Sequence, residues 1–418
     1  MTQNVPLLEV SEARRRLLDH FTPLEPESIP LAECVGRILA KDMIAPYDLP
    51  PFPNSAMDGF AVRAADVAVA SQQTPAILRV VADVPAGRTV ETVIQFGEAA
   101  RIMTGAPLPF GADCVVPVED TDFNYRQPGI SVPHVVKIYR PAIEGANVRP
   151  AGEDVRQGEL VMNAGHCLRP QDAGFLSMLG QAHVSVRRRP RVAIFSSGDE
   201  LVEIDQPLAP GKIHDANSYT LAGLVKQNGG VALHLGVAAD DPRAVREILD
   251  RAVESRADLI LSSAGVSVGA LDFVRSVVEQ EGSLGFWRVN MRPGKPIAFG
   301  HYRNIPFIGL PGNPVSAYVG FEIFVRPALL KMQGAVQLER HWQLARLMEP
   351  IESDGRETYL RAIVRFKDDE IQARLTGHQG SGNLRSLVQA NALLFIPSGV
   401  KSVPSGSLVR IFLLDGAV

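Results

Sequence analysis

Three apolar runs in the second half of this chain each end in a small, polar, glycine-bearing turn, and that repetition restricts the fold more than any other feature. RVAIFSS (191–197) runs into Gly198-Asp199-Glu200, and IPFIGL (305–310) into Pro311-Gly312-Asn313-Pro314. Between them, DLILSSAGVSVGALD (258–272) reads as a buried strand at Leu259, Ile260 and Leu261, a small-residue loop, and a helix start with Asp272 in its first turn. Helical patterns separate the strands. One spans Asn217 to Gln227 and stops at Gly229. Another starts at Asp241-Pro242, a cap followed by proline, and turns Val245, Ile248, Leu249 and Val253 inward. An apolar helical pattern also follows from Val315. Parallel strands require crossovers, so repeated βα units from Arg191 to about Leu330 predict a doubly wound, mostly parallel sheet. Such sheets bind ligands beyond the carboxyl ends of their strands, so the three turns are expected to share one pocket.

The rest of the chain has a different texture. Ser11 to about Phe21 reads as a helix capped by Ser11, with Ala13, Leu17 and Leu18 on one face. A proline-rich passage through Pro46, Pro50, Pro51 and Pro53 marks a boundary. From Gly59 to about Tyr139, short alternating strands such as ILRVVADV between Gly and Pro turns predict a β-rich domain. Residues 141–186 carry GEDVRQGE, a strand at Leu160-Val161 and a helix from Pro170 to Leu179. This piece is expected to pack back against the N-terminal helix, leaving the β-rich part as an insertion. After about Gly334, YLRAIVRF, LLFIP and LVRIFLL predict a small C-terminal β-domain.

Composition excludes several function classes. The 418 residues carry a net charge of −4 with pI near 6.2, which argues against nucleic-acid binding through bulk electrostatics. Arg187-Arg188-Arg189 reads as a solvated domain edge. No apolar run reaches the roughly 18 residues of a membrane helix, and no signal-peptide core stands at the N-terminus. Cys34, Cys114 and Cys167 are far apart and the histidines are scattered, so zinc, iron–sulfur and disulfide frameworks are not expected. The expectation is a cytoplasmic protein.

The chemistry-bearing residues cluster at the turns. Gly265 and Gly269 permit close backbone approach, and Ser262, Ser263 and Ser267 with free N–H groups can hold an oxyanion, although a tight turn fits equally. The spacing is neither GxGxxG nor GxxxxGK[ST]. Asp199, Glu200, Asp215 and Asp272 can share a divalent cation with a phosphate, magnesium rather than zinc given hard oxygen donors; each also has a local structural reason to be there. Arg292 and Lys295, framed by Pro293-Gly294 and Pro296, point to anion binding. In PPFPNSAMDGFAVR (50–63) a rigid turn presents Asp58, and Thr104-Gly105 in RIMTGAPLPFGADCVV (101–116) is either a ligand contact or a turn. Carboxylates for a metal and cations for oxyanions together suit cleavage of a phosphate anhydride. No Ser-His-Asp set or nucleophilic cysteine is evident.

Taken in order, NSAMDGFAV, RIMTGAPLPFGAD, AGEDVRQGE, SSGDEL, SAGVSVGALD, MRPGKPIAFG and GLPGNPVSA resemble the molybdopterin molybdenumtransferase family, which includes the catalytic end of gephyrin. The likeness runs nearly the whole length, through GSGNLRSLVQANALLFIP (380–397). It implies four domains: a discontinuous elongated domain (1–50 and 141–186), an inserted β-rich domain (51–140), an α/β molybdopterin-binding domain (187–332) and a C-terminal β-barrel-like domain (333–418). It also implies a homodimer that takes adenylylated molybdopterin and molybdate, inserts the metal and releases AMP with Mg2+. The molybdopterin adenylyltransferase and apo-molybdoenzymes are the further partners implied.

By resemblance, Asp58, Thr104, Glu200, Asp215 and Asp272 are catalytic, with Glu200, Asp215 and Asp272 as the metal set. Ser197, Gly198, Ser263, Gly265 and Ser267 contact substrate. Arg292 and Lys295 hold molybdate, Pro311, Gly312, Asn313 and Pro314 form the pterin-side turn, and Arg361 with Ser381 completes an oxyanion site. The chain departs from the common pattern at Pro53, Ala264, Ala270 and Arg292. The alternatives are an adenylyltransferase of the preceding step, which would lack NSAMDG and the β-domains, and a non-catalytic molybdopterin-binding scaffold. Tungstate is close enough to molybdate in size and charge to compete as substrate.

Overall fold

The computed structural model describes residues 7–88, 91–123, 131–264, 273–367 and 369–414. The chain forms two compact units. One consists of Asp42–Asn163 with Pro170–Ala182, and the other holds the remaining described residues.

In the larger unit the βα repeats fold as the alternation predicts. The sheet order is Val231–Ala238, Arg191–Ser197, Leu259–Ser263, Ile305–Leu310, Pro296–Tyr302, Gly282–Arg288. The first four strands are parallel, and the last two add an antiparallel edge. The strand Gly282–Arg288 lies in a segment that had no strand signal of its own. Because side chains alternate along a strand, Val192, Ile194, Leu259 and Leu261 enter the core on one face. Ala193, Phe195 and Ile260 enter the other, against Val245, Ile248 and Leu249. The helix Pro242–Glu254 starts where expected, with Asp241 accepting from the backbone N–H groups of Arg243 and Ala244. From Pro314 the helix continues through a π turn at Phe321–Val325 into Arg326–Met332. Pro327 has no N–H to donate to the preceding turn, consistent with a widened turn there.

The N-terminal helix differs from expectation. It spans Val10–Leu18 with Glu9 at the N-cap position, so Ser11 lies inside it and caps nothing. Its buried face, Val10, Ala13 and Leu17, joins the core that contains Phe321, Phe324, Ala328 and Leu329. What pairs the outgoing and returning chain in this unit is the ladder between Pro26–Pro30 and His183–Arg187.

The C-terminal strands close on themselves. Glu357–Lys367 pairs with Glu370–Leu375 and with Ala392–Ile396, and Trp342–Leu347 and Leu408–Leu413 complete the ring. This is a small barrel filled by Ala345, Leu347, Ala362, Val364, Leu394 and Ile411.

The smaller unit holds a five-stranded sheet in the order Cys114–Pro117, Gly59–Val62, Glu98–Ile102, Ala76–Val84, Val135–Ile138. Gly59 is required there, since a Cβ would meet the Val116 carbonyl oxygen at 2.1 Å. Among the described residues no helix is long and apolar enough to cross a membrane.

Leu17 is fully buried in the core that joins the N-terminal helix to the α/β sheet. Leu17→Ala is expected to destabilise the larger unit by about 2–5 kcal/mol, read as a lowered urea midpoint for that unit's transition.

Candidate active site

The parallel strands end around a cleft of about 680 Å3, whose walls include Glu200, Asp215, Asn217, Ala264 and the turn Pro311, Gly312, Asn313, Pro314. The chain leaves Arg191–Ser197 to one side and returns to Leu259–Ser263 on the other, which makes this the switch point where an open sheet leaves a crevice. Ser197 is buried at its strand end. Gly198 has no side chain for a reason, because a Cβ there would lie 2.6 Å from the Glu200 carboxylate. A short parallel ladder, Leu201–Val202 with Ile213–His214, then carries Glu200 and Asp215 into the same wall.

Asp215 is 2% exposed and its carboxylate is fully engaged. Oδ1 accepts from Ser196 Oγ at 3.0 Å and from the N–H groups of Asn217 and Ser218 at 3.0 and 3.2 Å, while Oδ2 accepts from Ser218 Oγ. These hydrogen bonds anchor the start of the helix Asn217–Gln227, three of them on Oδ1 and one on Oδ2. Asn217, which the sequence did not single out, joins two other turns. Its amide nitrogen donates to Ser263 Oγ at 2.6 Å and to the Gly312 carbonyl at 2.7 Å. Gly312 and Ala264 approach so closely that a Cβ on Gly312 would stand 3.2 Å from that of Ala264. Ala264 itself has φ of 72°, a left-handed conformation that glycine adopts without strain. Gly265, Ser267, Gly269, Ala270 and Asp272 lie outside the described residues.

A further acidic residue gathers beside Glu200. Asp240 follows the strand Val231–Ala238, accepts from the Asp199 N–H at 3.4 Å and donates its own N–H to Asp199 Oδ1 at 3.1 Å. Burial, with the charges of Asp199 and Glu200, pushes its carboxyl above the ordinary range. Asp240 was missed because its neighbour Asp241 supplied the stronger, capping signal. Among the described residues no three His, Cys, Asp or Glu side chains form a ready metal cluster.

The second cavity, about 270 Å3, is lined by Arg292, Lys295, Arg356, Arg361, Gln379 and Ser381. Arg292 reaches it from Met291–Arg292, which pairs in parallel with Glu357 and Thr358 at the start of the barrel strand that bears Arg361. Consecutive residues line both cavities: Lys295 the second and Pro296 the first, Ser381 the second and Gly382 the first. The two therefore adjoin. Arg361 is 1% exposed and donates to Ser386 Oγ at 2.9 Å and to the Gly380 carbonyl at 3.0 Å. No carboxylate pairs with it among the described residues. Burial, reinforced by Arg292, holds its guanidinium down at about 10, so at neutral pH it is a buried cation beside another cation. That arrangement calls for an anion. Arg356, set in a short turn between strands, was not legible as part of this group.

In the smaller unit the two motifs expected to act together do meet. Thr104 donates both its N–H and its hydroxyl to Asp58 Oδ1, each at 2.7 Å. Gly105, at φ of 78°, donates to the Ser55 carbonyl, and Ser55 donates to that of Ala106, so the two loops are sewn side by side.

Fold and site thus define a multidomain α/β-plus-β protein with a strand-end cleft adjoining a cationic cavity. Family models match in the same order: the MoeA N-terminal region (domain I and II) over residues 8–180, a probable molybdopterin binding domain over 193–331, and the MoeA C-terminal region (domain IV) over 344–414. The molybdopterin molybdenumtransferase 2 of Mycobacterium tuberculosis is 38% identical over 96% of this chain and 98% of its own length. The molybdopterin molybdenumtransferase of Haemophilus influenzae is 35% identical over 97% and 98%. The crystal structure of the molybdopterin biosynthesis moeA protein from Pyrococcus horikoshii OT3 superposes with a TM-score of 0.83 at 33% identity, covering 98% of this chain and all of that one. The chain belongs to the molybdopterin molybdenumtransferase family.

Because Arg361 is a buried cation without a carboxylate, replacing it by an apolar side chain removes a desolvation cost. Arg361→Met is expected to leave the thermal midpoint unchanged or raised while weakening oxyanion binding at least tenfold. A purely structural arginine would instead lower the midpoint.

Proposed function

We propose that this chain takes adenylylated molybdopterin and molybdate, places the molybdenum on the dithiolene and releases AMP. The observation that carries the reading is the buried Arg361 in a cationic cavity adjoining the strand-end cleft. Molybdate, a tetrahedral dianion, is held there by Arg292, Lys295, Arg361 and Ser381. Guanidinium and ammonium donors make charge-assisted hydrogen bonds to an oxyanion, and the buried Arg361 acts most strongly because little solvent screens it. The pterin lies along Pro311–Pro314 in the larger cleft. Asn217 keeps that turn and Ser263 in register, so the ligand meets preorganised groups and fewer of them must be ordered on binding.

Magnesium belongs to the same proposal, and the donors present suit it in kind. Asp199, Glu200 and Asp240 offer hard oxygens, and the carboxyl of Asp240 is raised by burial first and by the charges of Asp199 and Glu200 second. Glu200, Asp215 and Asp272 are the proposed holders; Asp240 lies near Glu200, and Asp215 also anchors the helix Asn217–Gln227. The ion, when bound, supplies charge neutralisation on the phosphate of the substrate. Asp58 and Thr104 are proposed as a further catalytic pair, in which the threonine's two donated hydrogens fix the orientation of the aspartate. Homodimeric assembly, exchange with an adenylyltransferase and with apo-molybdoenzymes, and a cytoplasmic setting complete the proposal.

The purified protein is expected to release AMP from adenylylated molybdopterin in the presence of Mg2+ and to do so faster when molybdate is added. Glu200→Gln should lower that rate roughly 10²-fold and raise the Mg2+ concentration needed for half-maximal rate. Tight pterin binding with no AMP release under any oxyanion would sink the proposal. A second expectation concerns the smaller unit. Thr104→Val keeps the backbone donor to Asp58 and loses the hydroxyl, so it should slow AMP release by about tenfold or more without moving the thermal midpoint, measured on the same preparation.

A further inference from the structure

The oxyanion cavity contains one cation that neither the sequence nor the family resemblance singled out, and that cation holds a carboxylate at the rim. Arg356 lines the cavity together with Arg292, Lys295 and Arg361. Its Nε donates to Asp354 Oδ2 at 3.0 Å, its Nη2 donates to the same oxygen, and its backbone N–H donates to Asp354 Oδ1 at 3.1 Å. The same Oδ2 stands 3.7 Å from Arg292 Nη1. Among the described residues, Asp354 is the one carboxylate paired with any of these four cations. One negative charge therefore sits against four positive ones. It is attached to partly exposed groups: the side chains of Arg292, Arg356 and Asp354 are 46%, 30% and 38% exposed. Ion pairs in such positions are weak and exchangeable, whereas the charge on buried Arg361 is neither paired nor screened.

We propose that Arg356 is a fourth anion-binding residue of this cavity and that Asp354 is its resident counter-anion, displaced when a tetrahedral dianion enters. The inference rests on the reading of the cavity as an oxyanion site. Asp354 acts through Arg356 and Arg292 and is a positioning residue; it touches no substrate itself. Its consequence is selectivity by charge. A monoanion of the same shape offers the arginines no more charge than Asp354 already supplies, so the exchange gains little. A dianion offers twice as much and takes both arginines. Asp354 thus raises the concentration at which any oxyanion binds and widens the preference for dianions. It also gives the arginine at 292 a purpose, because a guanidinium can point one N–H toward a carboxylate at the rim and others inward, which a point-charge ammonium does less well.

The test is calorimetric titration of the full chain with molybdate, with perrhenate as a tetrahedral monoanion and with sulfate, at one ionic strength. Asp354→Asn is expected to tighten molybdate three- to tenfold and perrhenate more, narrowing the preference between them. Arg356→Gln should weaken molybdate about tenfold, with most of the affinity restored in Arg356→Lys. In the Arg356→Gln background the effect of Asp354→Asn should shrink. If Asp354→Asn weakens molybdate or leaves it unchanged, Asp354 only props Arg356 and the counter-anion role is wrong. If Arg356→Gln binds as wild type, Arg356 is not part of the site. Should sulfate bind as tightly as molybdate while the variants follow the expected order, the counter-anion proposal stands and the molybdate assignment falls. Absence of binding by every anion overturns both.

Discussion

The larger cleft depends on one saturated carboxylate. Asp215 collects the hydroxyls of Ser196 and Ser218 and the first free N–H groups of the helix Asn217–Gln227. Charge-assisted hydrogen bonds of this kind contribute about 1.5–3 kcal/mol each, more than neutral ones. They fix the start of that helix against the end of the central strand. Asn217, the next residue but one, is thereby held where its amide reaches Ser263 and Gly312. Three strand ends far apart in sequence become one surface through two adjacent side chains. Without Asp215 the helix would begin with orphan donors in a buried place, and the cleft would lose its floor.

The second cavity is built on the opposite electrostatic principle. In the cleft wall near Glu200, burial and then neighbouring carboxylates raise the carboxyl of Asp240, and in the adjoining cavity burial and then Arg292 hold Arg361 below its ordinary range. Each group is costly for the empty fold and favourable once a ligand of opposite charge arrives. The two are separated by single residues, Lys295 from Pro296 and Ser381 from Gly382. Groups of opposite charge therefore stand in adjoining walls before any ligand is bound, the preorganised arrangement that the proposed reaction needs.

Much of this was legible before any coordinates. The strands Arg191–Ser197 and Ile305–Leu310, the helix Asn217–Gln227 and the Asp241-Pro242 start stand where periodicity and capping chemistry put them. The meeting of Asp58 with Thr104, and of Arg292 and Lys295 with Arg361 and Ser381, followed from motifs whose joint order is specific. What escaped was set by surroundings. Ser11 looks like a cap, yet the helix begins one residue earlier because Val10 has a core to enter. Asp215 reads as a ligand in the sequence, and its role in anchoring the helix that follows is set by four donors that only the fold assembles. Arg356 sits in an ordinary polar turn, and only the parallel pairing of Arg292 with Thr358 brings the two arginines to one cavity.

The sequence by itself determined the elements, the order of the domains and the family, because periodicity, caps and turn residues act over a few positions and are written locally. It also placed most of the charged residues that matter. Only the tertiary structure decided what those charges do. Whether a carboxylate caps a helix, repels its neighbour or holds an arginine depends on burial and on partners tens to hundreds of residues away. Arg361 shows this most plainly: an arginine in an alternating strand is unremarkable as text, and it becomes a buried cation only because the barrel closes around it and leaves it no carboxylate among the described residues.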